Sequence, residues 1–151
     1  MISRIKYFLI VVVIMALSAC TTSKSTVSNR VDLSKYEYAS IINNNTYRIP
    51  AELMEYEIQL FDAVESSRLQ LVSDIRINEL TSQQRDRLLL VKYGINQTEE
   101  AVVTVNFIDY MTGRPVASCR GAFGLGLSYS KDLKEAIKRV SKQISETFPK
   151  K

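Results

Sequence analysis

A chain of 151 residues carries 20 lysines and arginines, 16 aspartates and glutamates and no histidine, for a formal charge of +4. The lack of histidine excludes serine–histidine–acid triads, cysteine–histidine nucleophiles and most zinc sites. The length suits one domain rather than two, and so small a positive charge gives no reason to expect a nucleic-acid partner.

The first 20 residues have the layout of a secretion signal. Arg4 and Lys6 form a basic start, and an apolar run follows from Tyr7 to Ala16. This run is shorter than the roughly 20 residues that cross a bilayer, so it indicates a cleaved leader rather than a spanning helix. The sequence Leu-Ser-Ala-Cys follows and ends at Cys20.

The Leu-Ser-Ala-Cys sequence resembles the lipobox of bacterial lipoproteins. The resemblance implies that residues 1–19 are removed and that Cys20 becomes the first mature residue, acylated on its sulfur and its amine. Thr21 stands where an aspartate would favour retention in the inner membrane, so the resemblance implies an outer-membrane protein that faces the periplasm. Several acyl chains hold a protein on a membrane, since each buried CH₂ contributes about 0.8 kcal/mol. A plain N-terminal anchor or an ordinary cleaved signal is the alternative.

Residues 20–31 are predicted to be the lipidated cysteine and a flexible tether. The segment Thr21–Arg30 is rich in serine and threonine and poor in apolar residues. Ten such residues reach at most about 35 Å when fully extended. We therefore expect the rest of the chain, a single periplasmic α/β domain at residues 32–149, to stay close to the membrane.

The first half of this domain is predicted to contain two strands and an amphipathic helix. A short strand covers Tyr36–Ile42, and a helix over Ala51–Arg68 starts after Pro50, which is well placed in a first helical turn. A second strand covers Leu69–Val72, and a short helix or turn is expected near residues 81–85.

The second half is predicted to contain three strands and a long helix. The strands cover Arg87–Asn96, Ala101–Asp109 and Arg114–Phe123, and the last two are joined by a tight turn at residues 110–113. The final helix has Ser130 as its expected N-cap, apolar residues at helical spacing, and Pro149 at its end.

These elements predict an α+β fold. We expect a two-layer α/β sandwich, in which a mostly antiparallel sheet of about five strands carries two amphipathic helices on one face. Alternation in the strands places the following residues under the helices: Ala101, Val103, Val105, Phe107, Ala117, Cys119, Gly121 and Phe123. Val102, Ile108 and Val116 would point to the other face.

The helix-free face of the sheet is the surface most suited to a protein partner. Polar residues share it with the three apolar ones, a mixture that suits a protein contact. The candidate contact residues are Lys92, Thr104, Asn106, Ser118 and Arg120. A second copy of the chain could bind there as well as an envelope protein, and a merely solvated sheet is the alternative.

Other candidate groups fit structural roles. Cys119 falls in the core phase of its strand, where a thiol is inert, and it has no disulfide partner once Cys20 is acylated. Glu57 lies within the apolar arc of the first helix, and we expect a basic neighbour such as Arg68 to pair with it. The sequence therefore predicts no catalytic residue, metal ligand, cofactor or small-molecule substrate.

The final helix is strongly basic. Its cations are Lys131, Lys134, Lys138, Arg139 and Lys142. They form either a solvated helix face or a surface with weak attraction to anionic lipid headgroups.

The hairpin from Asp109 to Ser118 resembles a motif of small periplasmic domains. A strand ending in Asp109, a Thr112-Gly113 turn and a returning strand match the D-x-x-T-G hairpin of the penicillin-binding-protein activators, the curli-secretion lipoprotein and the N-terminal part of the Tol-Pal translocation protein. Domains of this superfamily bind proteins and catalyse nothing, which the resemblance implies here. The short tether departs from the long linkers of activators that reach inner-membrane enzymes.

The sequence thus favours an outer-membrane lipoprotein that acts as a non-catalytic interaction or assembly module in the envelope. Two alternatives remain open. A carrier of lipid or glycolipid would need an apolar cavity between helices and sheet, and an envelope hydrolase would need convergent carboxylates.

Replacing Cys20 by serine tests the anchor. Cys20→Ser removes the acylation site, so we expect the protein to leave the outer-membrane fraction when cells are fractionated. A variant still held firmly in that fraction would contradict the lipobox interpretation.

Overall fold

The computed structural model describes residues 23–42, 51–97, 100–124 and 128–150, so Cys20 and the leader lie outside the described residues. The strands are β1 (Lys24–Val27), β2 (Tyr38–Ile41), β3 (Gln70–Leu71), β4 (Leu88–Gln97), β5 (Ala101–Asp109) and β6 (Pro115–Phe123). The helices are α1 (Ala51–Glu65), α2 (Ser82–Asp86) and α3 (Tyr129–Thr147), with 3₁₀ turns at Leu33–Lys35 and Asp74–Glu79.

The strands form one mixed sheet in the order β1-β6-β5-β4-β2-β3. The three junctions from β1 to β4 are antiparallel, whereas β4-β2 and β2-β3 are parallel. The α+β fold and the mostly antiparallel sheet are therefore confirmed. The sheet has one strand more than the five expected.

The additional strand, β1, lies in the segment that we expected to be a flexible tether. Lys24 pairs with Arg120 and Val27 pairs with Ala117, so β1 runs antiparallel to β6 along the sheet edge. The Ser23 hydroxyl accepts a hydrogen bond from the Ala122 amide at 3.3 Å. The prediction of a tether is wrong for residues 24–27, because main-chain pairing with an open sheet edge does not require apolar side chains.

The apolar core lies between the sheet and the helices α1 and α3. Residues of β5 alternate between buried and half-buried along its whole length, with Phe107 fully buried against the Phe148 ring at 4.6 Å between centroids. Leu60 and Val64 of α1 and Ile137 and other residues of α3 fill the space above the strands. The sheet face that we expected to carry the helices is the one that does.

Gly121 sets the distance between α3 and the sheet. A Cβ atom at this position would lie 2.1 Å from the carbonyl oxygen of Ala136 and 2.6 Å from the amide nitrogen of Val140. The backbone of α3 therefore rests directly on β6, an approach that only a residue without a side chain permits.

The other face of the sheet is covered at its β2 end. Ser40 and Leu88 alternate with the core-facing Ala39 and Leu89, yet both are fully buried. The 3₁₀ turn Asp74–Glu79 contacts β2 on the way from β3 to β4. A right-handed connection in this direction must pass over the face opposite α1, which explains the burial. The helix-free face is thus covered over β2 and the first residue of β4, and Ala122 near the end of β6 is also fully buried. Its open part lies over the rest of β4, β5, β6 and β1.

Two local expectations are wrong. The N-cap of α3 is Ser128, and Ser130 lies inside the first turn, where its hydroxyl shares a hydrogen bond with Tyr56 at 2.9 Å. Glu57 accepts a hydrogen bond from the Tyr93 hydroxyl rather than pairing with Arg68. Arg68 lies beyond the end of α1, so the helical projection that placed it beside Glu57 does not apply.

Gly121→Ala should destabilise the domain because the new methyl group would push α3 away from β6. Overpacking of this kind costs about 1–3 kcal/mol in the free energy of unfolding. Chemical denaturation of the purified domain measures it.

Gly94→Ala is the matched control, since a Cβ at this exposed position of β4 meets no atom within 4 Å. Alanine in a strand is favoured over glycine by roughly 0.5–1 kcal/mol, so this variant should be neutral or slightly more stable. Equal losses in the two variants would contradict the close approach.

Candidate interaction surface

The five candidate contact residues lie together on the open part of the sheet. Lys92, Asn106 and Ser118 are opposite one another on β4, β5 and β6, and Thr104 is opposite Arg120 one row further along. Lys92 is exposed and the other four are half-buried. Adjacent positions in such rows are close enough for their side chains to meet a single partner.

Strand β1 extends both rows. Thr26 pairs with Ser118 and Lys24 pairs with Arg120, and both β1 residues are exposed. Sequence reasoning missed them because a four-residue polar strand has no alternation that separates it from a tether. We name the resulting surface the open sheet face, which consists of Lys24, Thr26, Lys92, Val102, Thr104, Asn106, Ile108, Ser118 and Arg120.

Polar residues of the open sheet face bond to one another. The Ser118 hydroxyl donates to the Asn106 side-chain oxygen at 2.7 Å. An Arg120 nitrogen lies 3.2 Å from a carboxylate oxygen of Glu100, with about a third of each side chain exposed. A partly exposed ion pair contributes little to stability, about 0–1 kcal/mol, so a partner's carboxylate could replace Glu100 at small cost.

The apolar part of the face is smaller than expected. Val102 and Ile108 are half-buried on β5, but Val116 is only 2% exposed and belongs to the core. The register shifts between Phe107, which is opposite Ala117, and Ile108, which is opposite Pro115. This irregularity breaks the alternation of β6, so the assignment of Val116 to the exposed face is wrong.

The hairpin motif holds a buried carboxylate. Asp109 is 3% exposed, and its oxygens accept hydrogen bonds from the Tyr36 hydroxyl at 2.7 Å and the Thr112 amide at 2.8 Å. The Lys35 ammonium lies 3.2 Å away. Gly113 follows with φ of 68°, a left-handed conformation that favours glycine in the turn. Asp109 therefore stabilises both the turn and the segment before β2.

These donors keep Asp109 ionised. Burial raises the pKa of Asp109, but hydrogen bonds from Tyr36, Thr112 and Lys35 lower it by more, so that the pKa is about 2 against an ordinary value of 3.8. Burial and the hydrogen bond to this carboxylate raise the pKa of Tyr36. The arrangement is a structural contact, since the carboxylate is fully engaged by its own chain.

Cys119 is buried, as predicted. Its sulfur lies 3.6 Å from the Thr147 hydroxyl, and burial raises the pKa of the thiol. A protonated thiol in the core is not a nucleophile.

A groove of about 600 Å³ runs between α1 and α3 and is open to solvent. Asp62 and Glu135 both line it, and Glu135 lies 3.6 Å from Arg139. Among the described residues, no group of three or more histidine, cysteine, aspartate or glutamate side chains could hold a metal ion. None of the helices in the described ranges is both long and apolar enough to cross a bilayer.

The comparisons with known proteins show a fold and no family. No protein-family model matches the chain, and no curated protein sequence matches it. Two crystal structures of the PelC dodecamer from Paraburkholderia phytofirmans are similar, with TM-scores of 0.53 and 0.52 and 14% identity. Each match covers 86% of this chain and 99–100% of PelC.

A PDZ domain protein from Parabacteroides distasonis is also similar, with a TM-score of 0.54 and 15% identity. The match covers 85% of this chain but only 36% of that protein. At these identities the likeness concerns the fold alone.

Tyr36→Phe should weaken the Asp109 cluster. Loss of a hydrogen bond to a charged acceptor costs about 1.5–3 kcal/mol, so the free energy of unfolding should fall by that amount near neutral pH. In the wild type, the stabilisation by ionised Asp109 is complete above pH 3.8 and is lost as the pH falls towards about 2. The variant raises the pKa of Asp109 in the folded state, so its acid-dependent loss should be smaller.

Denaturant unfolding at neutral pH and at acidic pH measures both effects. Tyr38→Phe is the control, because the half-exposed Tyr38 is two residues away on β2, and it should change stability by no more than about 0.5 kcal/mol. An unchanged pH dependence in Tyr36→Phe would refute the assignment.

Proposed function

We propose that this protein is an outer-membrane lipoprotein, anchored through acylated Cys20, whose periplasmic domain is a non-catalytic interaction or assembly module of the cell envelope. The leader, the Leu-Ser-Ala-Cys sequence and Thr21 support the anchor and its location. The D-x-x-T-G hairpin supports a relation to the periplasmic partner-binding domains that it resembles. The open sheet face supports the interaction role, and it is the observation that carries the proposal.

The open sheet face has the composition of a binding surface. Its rows combine cations, hydroxyls and an amide with the half-buried apolar side chains of Val102 and Ile108. The cations are Lys24, Lys92 and Arg120, and the Arg120–Glu100 pair is the ion pair at its margin. We therefore expect a protein partner that presents acidic and amide groups around a small apolar centre.

A second copy of this chain is an equally suitable kind of partner. The structures similar in fold include a dodecamer of PelC. Strand β1 is at the sheet edge and pairs only on its β6 side among the described residues, so its outer main-chain groups can pair with another strand. Self-association and binding of a different envelope protein are separated by the mass of the crosslinked product.

The two alternatives have weaker support. A carrier would hold its lipid in an enclosed apolar cavity, whereas the groove between α1 and α3 is open and lined by charged residues, among them Asp62 and Lys138. A hydrolase would need a poised pair of carboxylates. In the groove, Glu135 forms ion pairs with Arg139 at 3.6 Å and Lys138 at 4.0 Å, so its carboxylate already has cationic partners.

Photocrosslinking in intact cells tests the proposal. A photoreactive amino acid at Asn106 or at Arg120 should give a discrete crosslinked protein, because both positions lie within the open sheet face. The controls carry the same group at Lys138 or Ser145, which are exposed on α3. Crosslinks from the α3 positions and none from the sheet positions would show that the wrong surface was chosen.

A further inference from the structure

The chain enters the folded domain at one end of the sheet. Ser23 is bonded to Ala122 near the end of β6, and β1 begins at the next residue. Only Thr21 and Thr22 separate Cys20 from Ser23. The Cα atoms of Cys20 and Ser23 can therefore be at most about 11 Å apart. The anchor is therefore within reach of this end alone, instead of the 35 Å that a free tether would allow.

The first turns of α3 lie at the same end. Gly121 of β6 contacts α3 at Ala136 and Val140, and α3 runs from there back to Tyr129. A helix rises 1.5 Å per residue, so Lys131 extends about 10 Å past the level of Gly121. The bond between Ser130 and Tyr56 places the first part of α1 beside it.

This end exposes three lysine side chains. Lys24, Lys131 and Lys134 are exposed, and no described carboxylate lies within 4 Å of any of them. Glu100 is paired with Arg120 at 3.2 Å and Glu135 with Arg139 at 3.6 Å. Asp132 in the first turn of α3 is only 7% exposed, and Glu55 is exposed on the first part of α1. Tyr129, an amphipathic side chain suited to a membrane interface, is 43% exposed there.

The far half of α3 differs from this end. Lys142 lies 3.8 Å from Glu146, and Lys138 lies 4.0 Å from Glu135. Phe148, the residue after the last turn of α3, packs on Phe107 near the end of the sheet that is farther from Ser23. The lysines of α3 thus differ in their partners. Lys131 and Lys134, toward the start of the helix, have no described carboxylate within 4 Å, whereas Lys138 and Lys142 do.

We propose that the end of the domain formed by Ser23, Lys24 and the first turn of α3 rests on the bilayer, with Lys24, Lys131 and Lys134 in contact with anionic lipid headgroups. This inference rests on the proposed acylation of Cys20 and adds the orientation of the domain. Strands and helices then run away from the membrane, and the open sheet face stands roughly along the membrane normal, where a neighbouring periplasmic protein can reach it. Cations near an anionic membrane surface are attracted within about one Debye length.

Fluorescence quenching on vesicles tests the orientation. The full-length protein with its native acylated N-terminus carries an environment-sensitive label at Lys131→Cys or at Lys142→Cys, and the buried Cys119 does not react. Vesicles of phosphatidylethanolamine and phosphatidylglycerol contain a lipid with a spin label on its headgroup. Quenching should be several-fold stronger at position 131 than at position 142. Equal quenching, or stronger quenching at 142, overturns the orientation.

Charge variants test the headgroup contact on the same vesicles. All of these variants carry the label at position 131. Lys24→Gln combined with Lys134→Gln should reduce its quenching, whereas Lys138→Gln should leave the quenching unchanged. Equal effects of the two changes overturn the headgroup contact. Mass spectrometry of each preparation separates the two proposals, because a protein without acyl chains overturns the anchor and this inference together. Acylated protein with uniform quenching overturns the orientation alone.

Discussion

The carboxylate of Asp109 fixes the path of the chain across the end of the sheet. Between β1 and β2 the chain must pass three strands, about 19 Å at the usual strand spacing, and it does so in the ten residues 28–37. Tyr36 and Lys35 of this crossing both bind Asp109, and Arg68 donates to the carbonyls of Tyr36 and Leu33. A buried charge is tolerated only when its oxygens are satisfied, and here the satisfying groups come from the segment that must be held. This contact therefore holds the crossing segment against the end of the sheet.

The parts of the fold that could be predicted are those in which one face is buried throughout. β5 has nine residues in strict alternation, and its bounds agree with the prediction. The apolar positions of α3 recur at helical spacing, and Leu133, Ala136 and Ile137 are all buried. In such segments one face is buried, so apolar side chains recur with the period of the helix or strand, and this periodicity can be read from the sequence.

The errors share a different origin, because they concern main-chain geometry. The pairing of β1 is made by backbone groups, and all four of its residues are exposed. The irregular register near Ile108 removed Val116 from the surface without any sign in the local composition. The candidate contact residues were found because they alternate with core residues, while Lys24 and Thr26 were missed because β1 has no such alternation.

The open sheet face and the end that we propose to rest on the membrane share Lys24 and otherwise consist of different residues. The fold is shared with a PelC dodecamer and with part of a PDZ domain protein, and one fold serves many functions. The fold alone therefore assigns no function to this chain. The backbone of α3 packs directly on β6 at Gly121, so the strand that carries Ser118 and Arg120 is supported from behind. A partner of such a face avoids the entropy loss of ordering it.

The position of β1 also determines how mechanical load enters the domain. Hydrogen bonds between antiparallel strands are perpendicular to the strand axis. A pull on a chain that continues from Lys24 acts along that axis, so the bonds between β1 and β6 resist it side by side, in shear, instead of opening one at a time. Tension transmitted from a lipid anchor would thus be borne by the edge strand, and the core behind it would stay folded until that strand had slipped.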